Sequence, residues 1–499
     1  MQKTVLLFGA GKSATALITY LINEASANNW KIVLADTNKE LILSKTNNSP
    51  FVQPVEINVR NDEQRSRLIS TADIVISLMP PSLHFLIARD CIAFNKNLLT
   101  ASYIDEQIKN LEADIKKKDL LFLCEMGLDP GIDHMSAMQL IDSIRAKGSS
   151  ILSFKSHCGG LTAPENDNNP WHYKISWNPK NVVMAGKAGA VYKTDGMLVA
   201  EKYEELFDSK RTIKVPGLGM LSYYPNRDSR TYIDLYGLQD AKTFVRTTLR
   251  HPEFMLGWKN LIDLKLTDET KEYNTDNLSL LNFFKKHLSE NGFENWLKNV
   301  LAERINKTKE LLEGFEKIMD ADEQPEDKAA ENFMIVDEEG KLTTLESEDM
   351  ITANADIISS QIHEANLILN QLFYLGLDDK KTIINKGVCN ACDILQFVLE
   401  TKLALQPGDK DMVVMLHELT VNEAGKTYNI QSSMIVKGDD DVNTAMAKTV
   451  GLPLGIAAKL ILNGVIQLKG LHIPVVKEIY QPVLEELRKN GVSFTETIS

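Results

Sequence analysis

The chain is a 499-residue sequence with a formal net charge of −13 and 43% hydrophobic residues. This length exceeds what one compact core usually contains, so two or three domains are expected. The acidic balance argues against a nucleic-acid partner, because no basic field offsets phosphate repulsion. No uninterrupted run of 18 apolar residues occurs, so neither a membrane span nor a membrane partner is expected.

The cysteines are few and scattered along the chain. There are five, and an odd number at wide spacing does not suggest a disulfide framework. Cys389 and Cys392 form a C-x-x-C pair without a second pair or a histidine cluster, so we predict core thiols and no metal. The apolar run Val5–Phe8 ends at glycines and is typical of a strand, not of a signal peptide. These features predict a reduced, cytoplasmic location.

Short apolar strands alternate with helical patterns through the first 125 residues. The strand candidates are Thr4–Phe8, Ile32–Ala35, Val55–Asn58, Asp73–Leu78, Asn97–Thr100 and Leu120–Cys124. The helical patterns lie around Ser13–Ala27, Glu63–Ser70, Leu83–Phe94 and Ile104–Lys118. This alternation predicts βαβ units in a parallel sheet, and six strands fit an N-terminal Rossmann domain for a dinucleotide.

The rest of the chain is predicted to be α/β with a helical part. Strand candidates are Phe154–Cys158, Val182–Met184, Ile213–Val215, Met412–Leu416 and Tyr428–Val436, and C-terminal helices are expected at Thr444–Val450, Gly455–Gly464 and Pro482–Lys489. Residues 316–349 are acidic and aperiodic, which predicts a mobile surface insertion, with Phe333–Val336 as a possible small strand.

The first strand is followed by the pattern G-x-G-x-x-A. Gly9 permits a tight turn, Gly11 lets the backbone approach a pyrophosphate, and Ala14 keeps helix and sheet close. The helix that follows offers N–H donors at its positive end. This pattern, in the first turn after the first strand, predicts a dinucleotide cofactor.

Asp36 ends the second predicted strand. An acid there hydrogen-bonds the ribose hydroxyls and repels a 2′-phosphate, so the sequence favours NAD, with NADP as the alternative because Lys39 is near. By topology, Ser77–Pro80 and Thr100–Tyr103 are expected to border the nicotinamide half, because each segment ends a strand.

Residues Gly127–His134 follow the last strand of this domain. Asp129 precedes Pro130 and is therefore pushed toward an extended or turn conformation, whereas Pro130 suits the first turn of a helix. Apolar residues then recur at three-residue steps, at Ile132, Met135, Met138, Ile141 and Ile144. We expect Asp129 to cap this helix at a strand-to-helix turn, where ligands bind in open α/β sheets.

Three arginines follow in segments that do not look like core. Arg227, Arg246 and Arg250 have the planar, bidentate geometry that suits carboxylates. For a single arginine, a solvated surface position is the better interpretation.

Taken together, these segments resemble the saccharopine reductase family, also called saccharopine dehydrogenase (L-glutamate-forming). The resemblance runs from Val5 to about Gly491. Its markers are Gly127–His134, Cys158–Trp177, Tyr224–Ser229, Thr248–Arg250, Ala445–Lys448 and Val450–Gly451.

The resemblance implies a reaction, a homodimer and three domains. The reaction is hydride transfer between a nicotinamide and the secondary amine of saccharopine, followed by hydrolysis of the imine to glutamate and 2-aminoadipate 6-semialdehyde, in lysine metabolism. The implied layout is a Rossmann domain at 1–130, with 455–499 packing back on it. A mixed α/β substrate and dimerisation domain covers 131–250 plus about 395–455, and a mainly helical domain covers 251–394.

The resemblance also implies site residues. Besides Gly9, the cofactor contacts fall on Ala10, Gly11, Lys12, Ser13, Ala35, Asp36, Thr37, Asn58, Val59, Met79, Pro80, Leu128, Pro130, Asn178, Pro179 and Lys180. Substrate contacts fall on Ser102, Tyr103, Asp129, Arg227, Thr248, Leu249 and Arg250. Tyr103, Asp129 and Cys158 are the candidates for proton transfer, and the sequence does not choose between a catalytic and a positioning role.

Two departures keep alternatives open. Fungal members that use NADP have Cys-Arg where Asp36-Thr37 stands, and Trp171-His172 replaces a Leu-Gly pair. A related dehydrogenase of the carboxynorspermidine type is the second enzyme hypothesis, although a polyamine substrate favours acids where Arg227 and Arg250 stand. A dinucleotide-binding protein without catalysis is the third.

Overall fold

The computed structural model describes residues 2–299, 334–336, 342–344, 364 and 366–499. They form two compact units. The first comprises Met1–Asn168, His172–Met255 and Leu403–Ser499, and the second comprises Asn169–Trp171 and Leu256–Lys402.

The first unit contains a seven-stranded parallel sheet. Its strands, in spatial order, are Gly470–His472, Leu121–Leu123, Asn97–Thr100, Ile74–Ser77, Thr4–Phe8, Lys31–Asp36 and Val52–Glu56. The strand order reverses beside Thr4–Phe8, which is the switch point where such sheets bind ligands. The six predicted strands and the Rossmann class are confirmed, whereas the seventh strand, Gly470–His472, was not predicted.

Helices and a 3-10 turn accompany this sheet. They are Lys12–Ala14, Thr15–Asn28, Lys39–Thr46, Asp62–Thr71, Pro81–Ala93, Glu106–Lys109 and Glu112–Lys117. The predicted helix 104–118 is thus two short helices, because Asp105 caps one at Ile108 N–H and a second begins after Leu111.

A ten-stranded mixed sheet forms the rest of the first unit. Its main path is Thr212–Val215, Gly219–Pro225, Thr243–Arg250, Ser150–Thr162, Asp411–Glu423, Lys426–Lys437 and Thr495–Ile498, with Ala190–Thr194, Met197–Glu201 and Arg227–Asp228 attached beside it. The accompanying helices are Ile132–Ala146, Pro164–Asn166, Pro179–Val183, Tyr203–Leu206 and Arg230–Leu235. The predicted strand Val182–Met184 is wrong, because Asn178 caps a short helix that begins at Pro179.

Two C-terminal helices complete this unit. Ala445–Leu462 is one continuous helix despite Pro453, where two were predicted. Its glycines allow close packing on the helix Thr15–Asn28, since a Cβ on Gly451 would lie 3.0 Å from Leu17 N. Its length and hydropathy would suffice to cross a membrane, but 67% of it is buried, as in a core helix. Lys477–Lys489 packs on Ile132–Ala146.

The second unit is mainly helical. Its helices include most of Pro252–Asp263, then Leu280–Glu290, residues 366–374 and Ala391–Lys402, around a core with the fully buried Trp258, Phe283 and Phe284. Glu272–Asn274 pairs with Val388–Asn390, where Cys389 is only half-buried, so the prediction of a core thiol is wrong there. Within 316–349, Met334–Val336 pairs with Leu342–Thr344, and the remaining residues of that predicted insertion lie outside the described residues.

Candidate active site

The glycine-rich turn has the open backbone that a dinucleotide requires. Gly9 adopts φ of +101°, and a Cβ there would lie 3.1 Å from the carbonyl oxygen of Leu78. A Cβ on Gly11 would meet nothing within 4 Å, so the backbone at this position stays accessible to a pyrophosphate. The exposed Lys12 and half-buried Ser13 follow in a 3-10 turn. The residues present therefore fit the expected cofactor.

Asp36 is tied to this turn. Its Oδ2 accepts a hydrogen bond of 2.7 Å from Ala10 N–H, and its Oδ1 accepts from Thr37 Oγ1 and Asn38 N–H. The end of the strand Lys31–Asp36 thus meets the first turn at two residues, because Ala35 O also accepts from Gly9 N–H. The structure brings these predicted cofactor residues together.

Lys45 is a residue of this region that the sequence reasoning missed. Its Nζ donates to Gly11 O at 2.6 Å and to Thr15 Oγ1 at 2.9 Å. Burial lowers the pKa of Lys45 to about 8, with Asp36 opposing and Lys12 adding to the decrease. The only sequence signal is a lysine in the last turn of the second helix, which is common at helix C-termini.

The other predicted cofactor residues lie at separate places. Met79 and Pro80 follow the strand Ile74–Ser77, and Asn58 and Val59 follow the strand Val52–Glu56, so both pairs lie at the carboxyl ends of the parallel strands. Asn178, Pro179 and Lys180 lie at the start of the short helix Pro179–Val183, where Asn178 Oδ1 accepts from Lys180 N–H, and among the described residues they form no hydrogen bond with the glycine-rich turn.

The turn that carries Asp129 differs from its prediction. The helix begins at Ile132 with Gly131 as its N-cap at φ of +148°, and Pro130 lies before it rather than in its first turn. The Asp129–Pro130 peptide is cis. Asp133 Oδ1, not Asp129, accepts the Gly131 N–H, at 2.6 Å. The prediction that Asp129 caps this helix is therefore wrong, and Leu128 is buried beside it.

Asp129 instead shares one guanidinium with Asp133. Arg246 Nη2 pairs with Asp129 Oδ1 and, at 2.7 Å, with Asp133 Oδ2. Burial would raise the pKa of Asp133, but His134, Arg246 and the Gly131 N–H outweigh it and lower that pKa. Burial raises the pKa of Asp129, and the charge of Asp133 raises it further. Two acids held by one cation therefore differ in proton affinity.

Arg246 was interpreted from the sequence as a possible ligand for an external carboxylate. The structure corrects this: its guanidinium is 3% exposed and is bound by two carboxylates of the chain itself. The sequence around Arg246 does not reveal these ion pairs, because both acidic partners lie more than 100 positions earlier in the chain.

Tyr103 lies next to Asp129. Its hydroxyl points to Asp129 Oδ1 at 3.4 Å, and the Arg227 guanidinium lies 5.1 Å from the centre of its ring. Burial raises the pKa of Tyr103. Arg227 is exposed and adopts φ of +57°. Three predicted substrate residues are thus brought together.

Ser102 is held by a histidine that was not predicted. His84 Nε2 lies 2.8 Å from Ser102 Oγ, and its Nδ1 lies 2.9 Å from Ser77 Oγ. Burial lowers the pKa of His84 to about 4, so the imidazole is neutral near pH 7. Ser102 and Tyr103 directly follow the strand Asn97–Thr100.

Cys158 and the strand end Thr248–Arg250 lie side by side in the ten-stranded sheet. Cys158 pairs in register with Thr248, on neighbouring parallel strands. Burial raises the pKa of the Cys158 thiol well above its ordinary value, so it is protonated at neutral pH. Leu249 is fully buried and serves the core.

Arg250 is buried, and no carboxylate in the part of the chain that the structure describes forms an ion pair with it. It is 3% exposed, stacks over Tyr173 at 5.1 Å and Phe254 at 5.3 Å, and donates from Nη1 only to the Leu249 carbonyl. Its Nε has no hydrogen-bond partner in the described part of the chain. A buried guanidinium without a counter-charge is costly, which indicates a site that an external carboxylate completes.

Two family models together match nearly the whole chain. Residues 5–123 match the family model for the saccharopine dehydrogenase NADP binding domain, and residues 127–492 match that for the saccharopine dehydrogenase C-terminal domain. The chain is 34% identical, over 99% of its length, to the mitochondrial alpha-aminoadipic semialdehyde synthase of Bos taurus, but it spans only about half of that relative, 48%.

Two matches to Saccharomyces cerevisiae proteins cover nearly the full length of both chains. Saccharopine dehydrogenase (NADP(+), L-glutamate-forming) is 30% identical over 99% of each sequence. The solved apo structure of histidine-tagged saccharopine dehydrogenase (L-Glu forming) has a TM-score of 0.78 at 28% identity and covers 100% of each chain.

Proposed function

Because the chain belongs to the saccharopine dehydrogenase family, we propose that it is an oxidoreductase of lysine metabolism that interconverts saccharopine and NAD(P) with L-glutamate, 2-aminoadipate 6-semialdehyde and NAD(P)H. One observation of the structure carries this proposal: the buried guanidinium of Arg250, whose Nε has no hydrogen-bond partner among the described residues, lies on the strand that also bears Thr248, which pairs with Cys158. Saccharopine has three carboxylates, and Arg250 and the exposed Arg227 supply two cations for them.

The glycine-rich turn and Asp36 would hold the dinucleotide, whose nicotinamide accepts or supplies the hydride when bound. The relatives favour NADP. Asp36 argues for NAD, because an acid at the end of the second strand binds ribose hydroxyls and repels a 2′-phosphate. Lys12 and Lys45 border the same turn and reduce that repulsion. The preference between NAD and NADP thus depends on whether the repulsion of the 2′-phosphate by Asp36 exceeds its attraction by Lys12 and Lys45.

Oxidation leaves an imine at the former secondary amine, and water then adds to its carbon before the C–N bond breaks. These steps need one group that takes a proton and returns it. Tyr103 and Cys158 retain their protons at neutral pH, because burial raises both pKa values. Asp129 is the remaining candidate of the three, because its carboxyl group lies beside the Tyr103 hydroxyl and burial raises its pKa. We assign proton transfer to Asp129 and positioning to Tyr103 and Cys158.

The other hypotheses receive less support. A polyamine substrate of the carboxynorspermidine type would meet the cations Arg227 and Arg250, so charge complementarity disfavours it. A binding protein without catalysis does not explain why Tyr103, Asp129 and Cys158 lie around one site.

We also propose that the protein is a cytoplasmic homodimer that binds neither nucleic acid nor membranes. The resemblance to the family supports the dimer, and the net charge of −13 disfavours nucleic acid. Light scattering during size-exclusion chromatography measures the mass, and fractionation of cells locates the protein. A monomeric mass by light scattering contradicts the proposed dimer. Protein found only in another compartment contradicts the proposed cytoplasmic location.

Initial rates of saccharopine oxidation, measured by the absorbance of the reduced nicotinamide with NAD and NADP in parallel, test the reaction. Turnover that needs saccharopine and a dinucleotide supports it. Arg250→Met is expected to lower kcat/KM about 100-fold, because a charged hydrogen bond is lost in a dry site. Arg230→Met, which removes a surface arginine, is the control. Absence of turnover from folded protein that binds a dinucleotide refutes the proposal.

A further inference from the structure

Glu125 occupies an unusual place behind the proposed active site. It follows the strand Leu121–Leu123, is 5% exposed, and adopts φ of +57°. A non-glycine residue in left-handed backbone is disfavoured, and a buried carboxylate is costly unless it is fully hydrogen-bonded. Both features indicate that the surrounding structure fixes this side chain in one position.

One side of Glu125 holds the segment that carries Tyr103. Its N–H donates to Ser102 O at 3.1 Å, and its Oε1 accepts from Ile104 N–H at 3.3 Å. The two bonds lie on either side of Tyr103 in the sequence. They therefore fix the backbone from which the Tyr103 hydroxyl approaches Asp129.

The other oxygen of Glu125 meets two rings. Its Oε2 lies 2.9 Å from His134 Nε2 and accepts from the Tyr232 hydroxyl at 3.2 Å. The two rings stack at 5.0 Å, and His134 Nδ1 lies 2.6 Å from the hydroxyl of Tyr236. Glu125 thereby connects the Tyr103 segment to the helices Ile132–Ala146 and Arg230–Leu235.

Tyr232 continues this connection to the acid of the site. The Arg246 guanidinium lies 4.4 Å from the centre of the Tyr232 ring and binds Asp129. A displaced Tyr232 ring would remove the surface against which Arg246 packs. Glu125 thus contacts both parts of the structure that set the relative position of Tyr103 and Asp129.

We propose that Glu125 is a positioning residue of this site, which acts through the Ser102–Ile104 backbone and through Tyr232 to align Tyr103 with Asp129. The inference rests on the proposed function for its kinetic part. Its structural part concerns hydrogen bonds that are measurable without any substrate.

Glu125→Gln is the direct test. A carboxylate accepts on both oxygens, whereas an amide accepts on one, so either Ile104 N–H or the His134 and Tyr232 donors lose their acceptor. We expect kcat for saccharopine oxidation to fall about 10- to 100-fold, because alignment for hydride and proton transfer is demanding. KM and the dinucleotide Kd are expected to change less than about threefold, since the Glu125 carboxylate is buried and is bound by groups of the protein.

Two further variants keep the test decisive. Tyr232→Phe removes one hydrogen-bond donor to Glu125 and leaves the Ser102–Ile104 contacts intact, so we expect a smaller fall in kcat. If Glu125→Gln does not fold, the result for Tyr232→Phe tests the proposal by itself. Tyr480→Phe is the matched control, because Tyr480 also donates to a carboxylate, Asp142, on the helix Ile132–Ala146 but is not part of this network. It should leave kcat unchanged.

Hydrogen exchange supplies a readout that is independent of activity. Protection of the Ile104 amide should fall in Glu125→Gln and not in Tyr480→Phe. Wild-type kcat in folded Glu125→Gln overturns the proposal, as does a parallel loss of kcat and dinucleotide binding, which indicates a merely structural role. If the wild-type protein does not turn over saccharopine, the proposed function fails, while the exchange result still tests the contact between Glu125 and Ile104.

Discussion

Replacing Arg246 with methionine is the most informative change to the charge balance of the site. The guanidinium is 3% exposed and holds two carboxylates, which are 13% exposed at Asp129 and 2% exposed at Asp133. Methionine replaces the aliphatic part of the arginine side chain and carries no charge. Arg246→Met therefore leaves two neighbouring acids without a cation, in a place where water reaches them poorly.

The size of the effect follows from this geometry. Opposite charges about 4 Å apart at an effective dielectric constant of about 20 attract by about 4 kcal/mol. Removal of one partner from a buried ion pair typically costs about 3–5 kcal/mol, because the other charge stays buried. We expect the free energy of unfolding to fall by about that amount at about pH 8, well above the ordinary pKa of a carboxyl group.

The effect should depend on pH with a definite sign. Without Arg246, burial and mutual repulsion place the pKa values of both acids above those of the unfolded chain. The folded variant then binds more protons than the unfolded one as the pH falls, so its deficit shrinks toward acid pH.

Urea denaturation of wild type and variant, followed by tryptophan fluorescence at about pH 8 and about pH 5.5, measures both expectations. Arg230→Met is the control, since the pair with Asp228 is exposed on both sides and should contribute little. The double variant Arg246→Met with Asp133→Asn should regain part of the loss, because one of the stranded charges is gone. A deficit below about 1 kcal/mol, or one that is equal at both pH values, would refute the charge argument.

Three further changes test other parts of the site. Asp36→Asn keeps an oxygen for the glycine-rich turn but removes the charge, so the ratio of kcat/KM for NADP to that for NAD should rise about tenfold or more; an unchanged ratio contradicts the role given to Asp36. Lys45→Met removes two hydrogen bonds to the turn and should raise the dinucleotide Kd about tenfold, measured by quenching of protein fluorescence, and an unchanged Kd contradicts it. Gly131→Ala should abolish soluble, folded protein, because its Cβ would lie 2.1 Å from Gly127 O, whereas Gly11→Ala should fold normally and bind dinucleotide weakly; normal melting of Gly131→Ala would contradict the turn geometry.

The Rossmann sheet could be predicted because its information is local. Five of its first six strands in the chain contain a short apolar run beside a helical pattern and end within one residue of their predicted bounds. The strand Val52–Glu56 contains polar residues and begins three residues before the predicted Val55–Asn58. The strand Gly470–His472 has no such pattern and is defined by its partner Leu121–Leu123, far away in sequence. Local rules also failed at Pro453, which lies inside a continuous helix because tertiary packing outweighs the helix-breaking tendency of proline.

The site could be predicted only where a residue type implies its chemistry. Tyr103, Asp129 and Arg227 were expected as substrate residues, and the structure brings them together. Glu125 and His134 were missed, although both are charged or polar residues in an otherwise apolar stretch, and this was the available signal. Arg246 was noticed, but its partners could not be identified from the sequence, because pairing over such distances is set by the mixed sheet.

The wrong cap prediction for Asp129 bears on the proton-transfer role that we propose for this acid. A carboxylate that caps a helix accepts backbone N–H bonds, which lower its pKa and occupy its oxygens. In this chain Asp133 takes that role at Gly131 N–H and has the lowered pKa. Asp129 meets Arg246 and Tyr103 instead, and its pKa is raised. The helix and the site therefore use different acids, and substitution of Asp133 should disturb the fold as well as the pH dependence of turnover, whereas substitution of Asp129 should mainly reduce turnover.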